Sequence, residues 1–121
     1  MKNWYAMEKV TTKICMTKDV GVYGTLFGGN MLAWMDEAAA AFAIKKTHQP
    51  HMVTLRFGET VFAHPVRVGD IVEFYCGEES IGNTSFSFKI NAMVEDYIVF
   101  RTDCTFVAVD DLGNPKPIRQ A

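Results

Sequence analysis

The 121-residue chain is poor in cysteine and proline and carries no excess of basic charge, with three Cys, four Pro, and 12 Lys and Arg against 14 Asp and Glu. Cys15, Cys76 and Cys104 are odd in number, widely spaced and without CxxC or His-paired spacing. That pattern fits a reducing compartment better than a disulfide framework, and the three read as buried small hydrophobes. A net charge of −2 and a pI near 5.9 argue against a general nucleic-acid surface or a polybasic membrane patch. The residues from Met1 to Lys9 contain no apolar core and no small-residue cleavage site, so no export signal is read and a cytoplasmic location is expected. No apolar run reaches the roughly 18 to 20 residues of a membrane span; the best candidate, Asn30 to Ile44, holds Asp36 and Glu37 at its centre. Walker loops, Gly-x-Ser-x-Gly elbows, dinucleotide fingerprints, repeats and low-complexity segments are also missing. His48 and His51 bracket Pro50, and His64 precedes Pro65, without a third ligand for zinc. Neither a metal nor a redox cofactor is expected.

What is present is hydrophobic mass in a single length of chain: 49% of the residues are hydrophobic and nine are Phe. The composition suits one globular domain over residues 1–121. Its most informative stretch is Gly21-Val22-Tyr23-Gly24-Thr25-Leu26-Phe27-Gly28-Gly29, which runs into the apolar segment ending at Ile44. Glycine admits tight turns and close approach of a ligand, and a helix start presents unpaired N–H groups at a positive dipole end, so the stretch reads as a cradle for a negatively charged oxygen. A helix is predicted from about Gly28 to Thr47, buried nearly all round, with Lys45 and Lys46 at its negative end and Pro50 as a stop. Asp36 in that setting is costly unless it has a partner or a task.

Around the helix the pattern is that of strands. Lys9 to Thr17 reads as an edge strand, His51 to His64 as one long strand, and residues 65–70 as a turn. Ile71 to Glu79, Ser85 to Glu95 and Tyr97 to Val109 follow as strands, with a hairpin loop at residues 81–84. One helix followed by long antiparallel strands leaves no crossover helices for a parallel sheet. The expected class is α+β, a strongly curved antiparallel sheet wrapped around one central helix.

The order of these elements, with Gly24-Thr25-Leu26-Phe27-Gly28-Gly29 running through to Met35-Asp36-Glu37-Ala38, resembles the hotdog-fold acyl-CoA thioesterases, and most closely their acyl-CoA hydrolase branch. The resemblance extends over Val53-Thr54-Leu55-Arg56, residues 65–70 and Gly82-Asn83-Thr84-Ser85. It implies a hotdog fold and hydrolysis of acyl-CoA thioesters to a carboxylic acid and coenzyme A. In that reading the Gly28 N–H polarises the thioester carbonyl, Asp36 is the base or nucleophile, and Thr54 orients the attacking water. Phe27 and Gly29 flank the acyl thioester, while Arg56, Arg67, Lys89, Lys116 and Arg119, with the backbone of Gly82, Asn83, Thr84 and Ser85, are candidates for the CoA phosphates. Relatives often carry Asn where this chain has Gly21.

Spacing adds a constraint of its own. Eight residues of helix separate Gly28 from Asp36, about 12 Å of axial rise, so one carbonyl can meet both only if they come from different subunits. A homodimer is therefore the expected minimal unit, assembled further into a tetramer or hexamer. Two other readings stand beside hydrolysis: a non-catalytic acyl-CoA sensor, and a hotdog dehydratase or hydratase, which would want a His that this helix lacks. For Asp36 the plain alternative is a buried structural acid, and for Thr54 an ordinary strand threonine.

Overall fold

The computed structural model describes residues 7–118, so Arg119 lies outside the described residues. Strand β1 (Met7–Ile14) leads through a short 3₁₀ turn (Thr17–Asp19) and the glycine loop into helix α1 (Gly28–Thr47). Strands β2 (Met52–Phe57), β3 (Val61–Phe62), β4 (Ile71–Ile81), β5 (Ser85–Val94) and β6 (Tyr97–Ala108) complete the chain. The strands form a six-stranded antiparallel sheet in the order β1-β4-β5-β6-β2, with the short β3 also paired to β6.

Helix α1 has the limits its sequence predicts. It begins behind Phe27, whose backbone is extended, and ends where His48 adopts a left-handed conformation (φ 57°) and donates its N–H to Ile44 O. Lys45 and Lys46 face the negative end of the dipole. Met31, Met35, Ala38, Ala39, Phe42 and Ala43 are buried against the concave face of the sheet. Phe42 packs on Phe88 with ring centroids 4.8 Å apart, and Phe88 in turn packs on Phe86 and Phe106. Each such ring contributes about 1.5 to 3 kcal/mol through burial, so this aromatic seam is what seats α1 in the sheet. No helix among the described residues is long and apolar enough to cross a membrane.

Three expectations are corrected. The helix is not buried all round, because the sheet covers only one side: Leu32 is 40% exposed, Ile44 39%, and Ala33 and Ala41 are also exposed. The segment His51 to His64 is not one strand. It leaves β6 at Gly58, whose N–H still bonds Asp103 O, and rejoins it at Val61 opposite Arg101. A Cβ at Gly58 would overlap the Asp103 carboxylate, and the Thr60 hydroxyl donates to Gly58 O, so the break is built in by local sterics and a local hydrogen bond. Finally, β1 stops at Ile14. Asp19 accepts the Met16 N–H on its carboxylate and folds residues 17–19 into the 3₁₀ turn instead of extending the strand.

Candidate active site

The start of α1 is a set of open donors. Phe27, at the N-cap, has no side chain able to accept a hydrogen bond, and the Asn30 and Met31 N–H groups both turn back to Phe27 O at 2.9 and 3.2 Å. The Gly28 and Gly29 N–H groups are left without an acceptor among the described residues, as the geometry of a helix start dictates. A cavity of about 240 Å³ opens beside them, lined by Leu26, Gly28, Met31, Phe62, His64 and Val99 among others. A Cβ on Gly28 would stand 3.7 Å from the Phe62 ring, and one on Gly29 would stand 3.1 Å from the Phe27 ring. Space thus argues for glycine at Gly29, where a Cβ would crowd the Phe27 ring, and not at Gly28, where the Phe62 ring stands at an ordinary contact distance.

Asp36 lies on the side of α1 that the sheet leaves open and is half-buried rather than buried. Its Oδ1 accepts a hydrogen bond from the Thr54 hydroxyl of β2 at 3.0 Å. No other partner of Asp36 is found among the described residues, so Oδ2 is free to accept from a water molecule. Glu37 points elsewhere and pairs with Lys13 at 2.9 Å, tying the helix to β1.

Several predicted residues are not gathered at the glycines. Gly28 and Asp36 stand about 12 Å apart along one helix. The turn Gly82 to Ser85 lies toward the opposite end of the sheet: Ser85 pairs with Val107 whereas Phe62, beside Gly28, pairs with Phe100. Seven residues of strand make that offset roughly 23 Å. The turn instead shares its end of the sheet with Thr54, since Thr54 and Phe86 both pair with Phe106. Arg56 is engaged by Thr105 Oγ1 at 3.3 Å and Asp103 at 3.5 Å, and Lys89 by Glu78 at 3.3 Å. Arg67 is exposed in the turn before β4 and Lys116 is half-buried near the C-terminal end.

Gly21 closes a turn in which its N–H bonds Thr25 O and its carbonyl accepts from Gly24, placing Val22 and Tyr23 in solvent at the tip. A Cβ there would meet only the Phe27 ring at 3.6 Å, an ordinary contact, so space alone does not demand a glycine.

Residues 23–99 match the Thioesterase superfamily. The chain belongs to that superfamily. Among its relatives, the acyl-CoA thioester hydrolase YciA of Salmonella typhimurium is 32% identical over 127 residues, covering 98% of this chain and 95% of that protein. The hexameric hotdog fold thioesterase Cj0915 of Campylobacter jejuni superposes with a TM-score of 0.84 at 28% identity, covering 93% of this chain and 90% of that one. The acyl-CoA hydrolase of Staphylococcus aureus, solved with butyryl coenzyme A, coenzyme A and coenzyme A disulfide, superposes with a TM-score of 0.81 at 27% identity, covering 93% and 69%. The fold of this thioesterase-superfamily chain is accordingly the hotdog fold.

Sequence reasoning passed over three residues around the glycines, Asp19, Asn30 and Phe62, and weighed His64 only as a zinc ligand. Phe62 and His64 reach the cavity only because β3 pairs back onto β6 beside the helix start. Asp19 and Asn30 are eleven positions apart and meet through a tertiary hydrogen bond that no local pattern announces.

Proposed function

We propose that this chain hydrolyses acyl-CoA thioesters at a site shared between two copies of itself. The observation that carries the reading is the hydrogen bond from Thr54 to Asp36 Oδ1, which holds the carboxylate between α1 and the edge strand β2 and leaves Oδ2 for a water molecule. The acyl-CoA thioester hydrolase YciA of Salmonella typhimurium and the coenzyme A complexes of the Staphylococcus aureus hydrolase supply the substrate class.

In this reading Asp36 Oδ2 takes a proton from water while the water oxygen attacks the thioester carbonyl. The Thr54 hydroxyl donates to Asp36 and offers its lone pairs to the same water. Negative charge then forms on the carbonyl oxygen against the Gly28 N–H of the other subunit. Oriented donors in such a site supply several kcal/mol to the transition state, and Phe27 and Gly29 keep them dry and open. The carbon–sulfur bond breaks, the proton passes to the departing thiolate, and a carboxylic acid and coenzyme A are released. Every step uses a carboxylate, a hydroxyl, backbone N–H groups and water, so no metal or redox cofactor is assigned.

The assembly follows from the same surfaces. β2 is an edge strand carrying exposed Val53, Leu55 (63% exposed) and Phe57, beside the exposed Leu32 and Ile44 of α1. An apolar edge of this kind invites pairing with a second chain. A twofold pairing there runs two α1 helices antiparallel and sets Gly28 of one chain against Asp36, Thr54 and the Gly82–Ser85 turn of the other. Cj0915 of Campylobacter jejuni is hexameric, and we assign to this chain a hexamer built from three such dimers. Coenzyme A esters and buried free thiols both suit a reducing, cytoplasmic setting.

The test is release of free thiol from a panel of acyl-CoA esters, acetyl to palmitoyl, by the wild-type chain and by Asp36→Asn. Turnover of at least one chain length by the wild type, lowered by roughly 10² to 10⁴ in the folded variant, is expected. Saturable acyl-CoA binding without thiol release from any ester would make the protein a sensor instead.

A further inference from the structure

We infer that Asn30 is a positioning residue for the carbonyl-binding end of α1, an inference that rests on the function proposed above. Most helix starts are secured by an acceptor side chain at the N-cap, which bonds one of the first free N–H groups. That solution would bond the Gly29 or Asn30 N–H, and Phe27 at this N-cap cannot provide it. The start of α1 is held from outside instead. The Asn30 side-chain amide donates to Asp19 O at 2.9 Å, and the Phe27 N–H donates to the same oxygen at 3.1 Å. One carbonyl therefore grips the residue before Gly28 and the residue after Gly29.

That carbonyl is itself fixed. Asp19 is buried, and its carboxylate accepts the Met16 N–H at 2.9 Å and the Lys18 ammonium at 3.0 Å, which closes the 3₁₀ turn around it. Because Asn30 acts as a donor, the clamp uses none of the first-turn N–H groups as an acceptor cap would. Gly28 and Gly29 have no side chains of their own to pack and would otherwise be free to fray. The clamp supplies the rigidity that oriented donors require, since misplacement by about 1 Å can cost on the order of 10²-fold in rate.

Two variants separate positioning from helix stability. Asn30→Leu removes the amide with little change in volume. Asn30→Asp also removes the donor, but it places an acid in the first turn, where the dipole favours it, so helix stability is preserved. Both are expected to lower kcat by roughly 10- to 100-fold with KM within about twofold of wild type. The Asn30→Asp protein should keep its thermal midpoint. Independently of activity, NMR relaxation of the Gly28 and Gly29 amides should report a rigid first turn in wild type and a mobile one in Asn30→Leu. Wild-type kcat in both folded variants, or unchanged glycine relaxation in Asn30→Leu, overturns the inference. If Asp36→Asn lowers turnover as expected while the Asn30 variants do not lower it, the clamp fails and the hydrolase reading stands. If the wild type turns over no acyl-CoA, the hydrolase reading and this inference fall together.

Discussion

Thr54 Oγ1 donates to Asp36 Oδ1 across 3.0 Å, joining the middle of α1 to the edge strand β2 by one hydrogen bond. Such a bond to a carboxylate adds about 1.5 to 3 kcal/mol to stability, and in the proposed reaction it leaves Oδ2 as the oxygen for the attacking water.

Asp36→Asn should keep the fold and the affinity for acyl-CoA while lowering kcat by roughly 10² to 10⁴, the range for a positioned acid–base group. Thr54→Val should fall in the same direction by a smaller factor. Steady-state kinetics beside thermal melts check this, because a purely structural acid would move the melt and spare the activity per folded chain.

Mixing Asp36→Asn chains with Gly28→Val chains should restore activity from two inactive parents. Each heterodimer holds one doubly damaged site and one intact site. Verified chain exchange with no recovered thiol release would overturn the assignment of Asp36 and Gly28 to one site from opposite subunits.

Leu55→Lys should break the assembly without unfolding the chain, since Leu55 lies exposed on β2 and outside the core of a single copy. Sedimentation should show a smaller species, with activity lost in parallel. An active monomer would contradict the shared site.

The Met16 N–H, followed by Lys18, holds the Asp19 carboxyl below its ordinary value near 3.8. The unfolded chain then binds a proton there more readily than the folded one. The stabilisation is full above about 3.8 and is lost as pH falls below that value through the folded pKa. The gap in melting temperature between wild type and Asp19→Ala should accordingly be wider at pH 6 than at pH 3, and an equal gap at both would assign the carboxylate no part in it.

Burial pushes the Cys104 thiol up to about 12 and the Cys76 thiol higher still, and Cys15 is also raised by burial. Thiolates are the reactive form, so a disulfide reagent should leave all three untouched in the native protein and titrate them after unfolding. Thiol release from acyl-CoA can then be read without background from the protein itself.

Much of this arrangement is legible in the chain. The span of α1 follows from the glycine pair, the apolar run, Lys45 and Lys46, and Pro50; the antiparallel sheet follows from strand patterning without crossover helices. The open side of the helix is not legible, because Leu32 and Ile44 look the same whether their own sheet or another chain covers them. The break at Gly58 depends on Asp103, and the Asn30 clamp on Asp19, both distant partners that only folding brings near. Asp36 and Thr54 were readable as residue types at fixed places, while the bond between them is a product of where β2 runs beside α1.

The eight residues between Gly28 and Asp36 also have a genetic consequence. If each site takes one of them from each chain, a chain with only Asp36 altered silences one site per mixed pair, and total activity declines in proportion to the share of altered chains. A chain carrying both lesions silences both sites of every mixed pair, because its wild-type partner lacks a sound counterpart for either residue. Activity would then follow the square of the wild-type share, so the doubly altered allele would be dominant over the normal one, whereas an allele altered at Asp36 alone would show only a dosage effect.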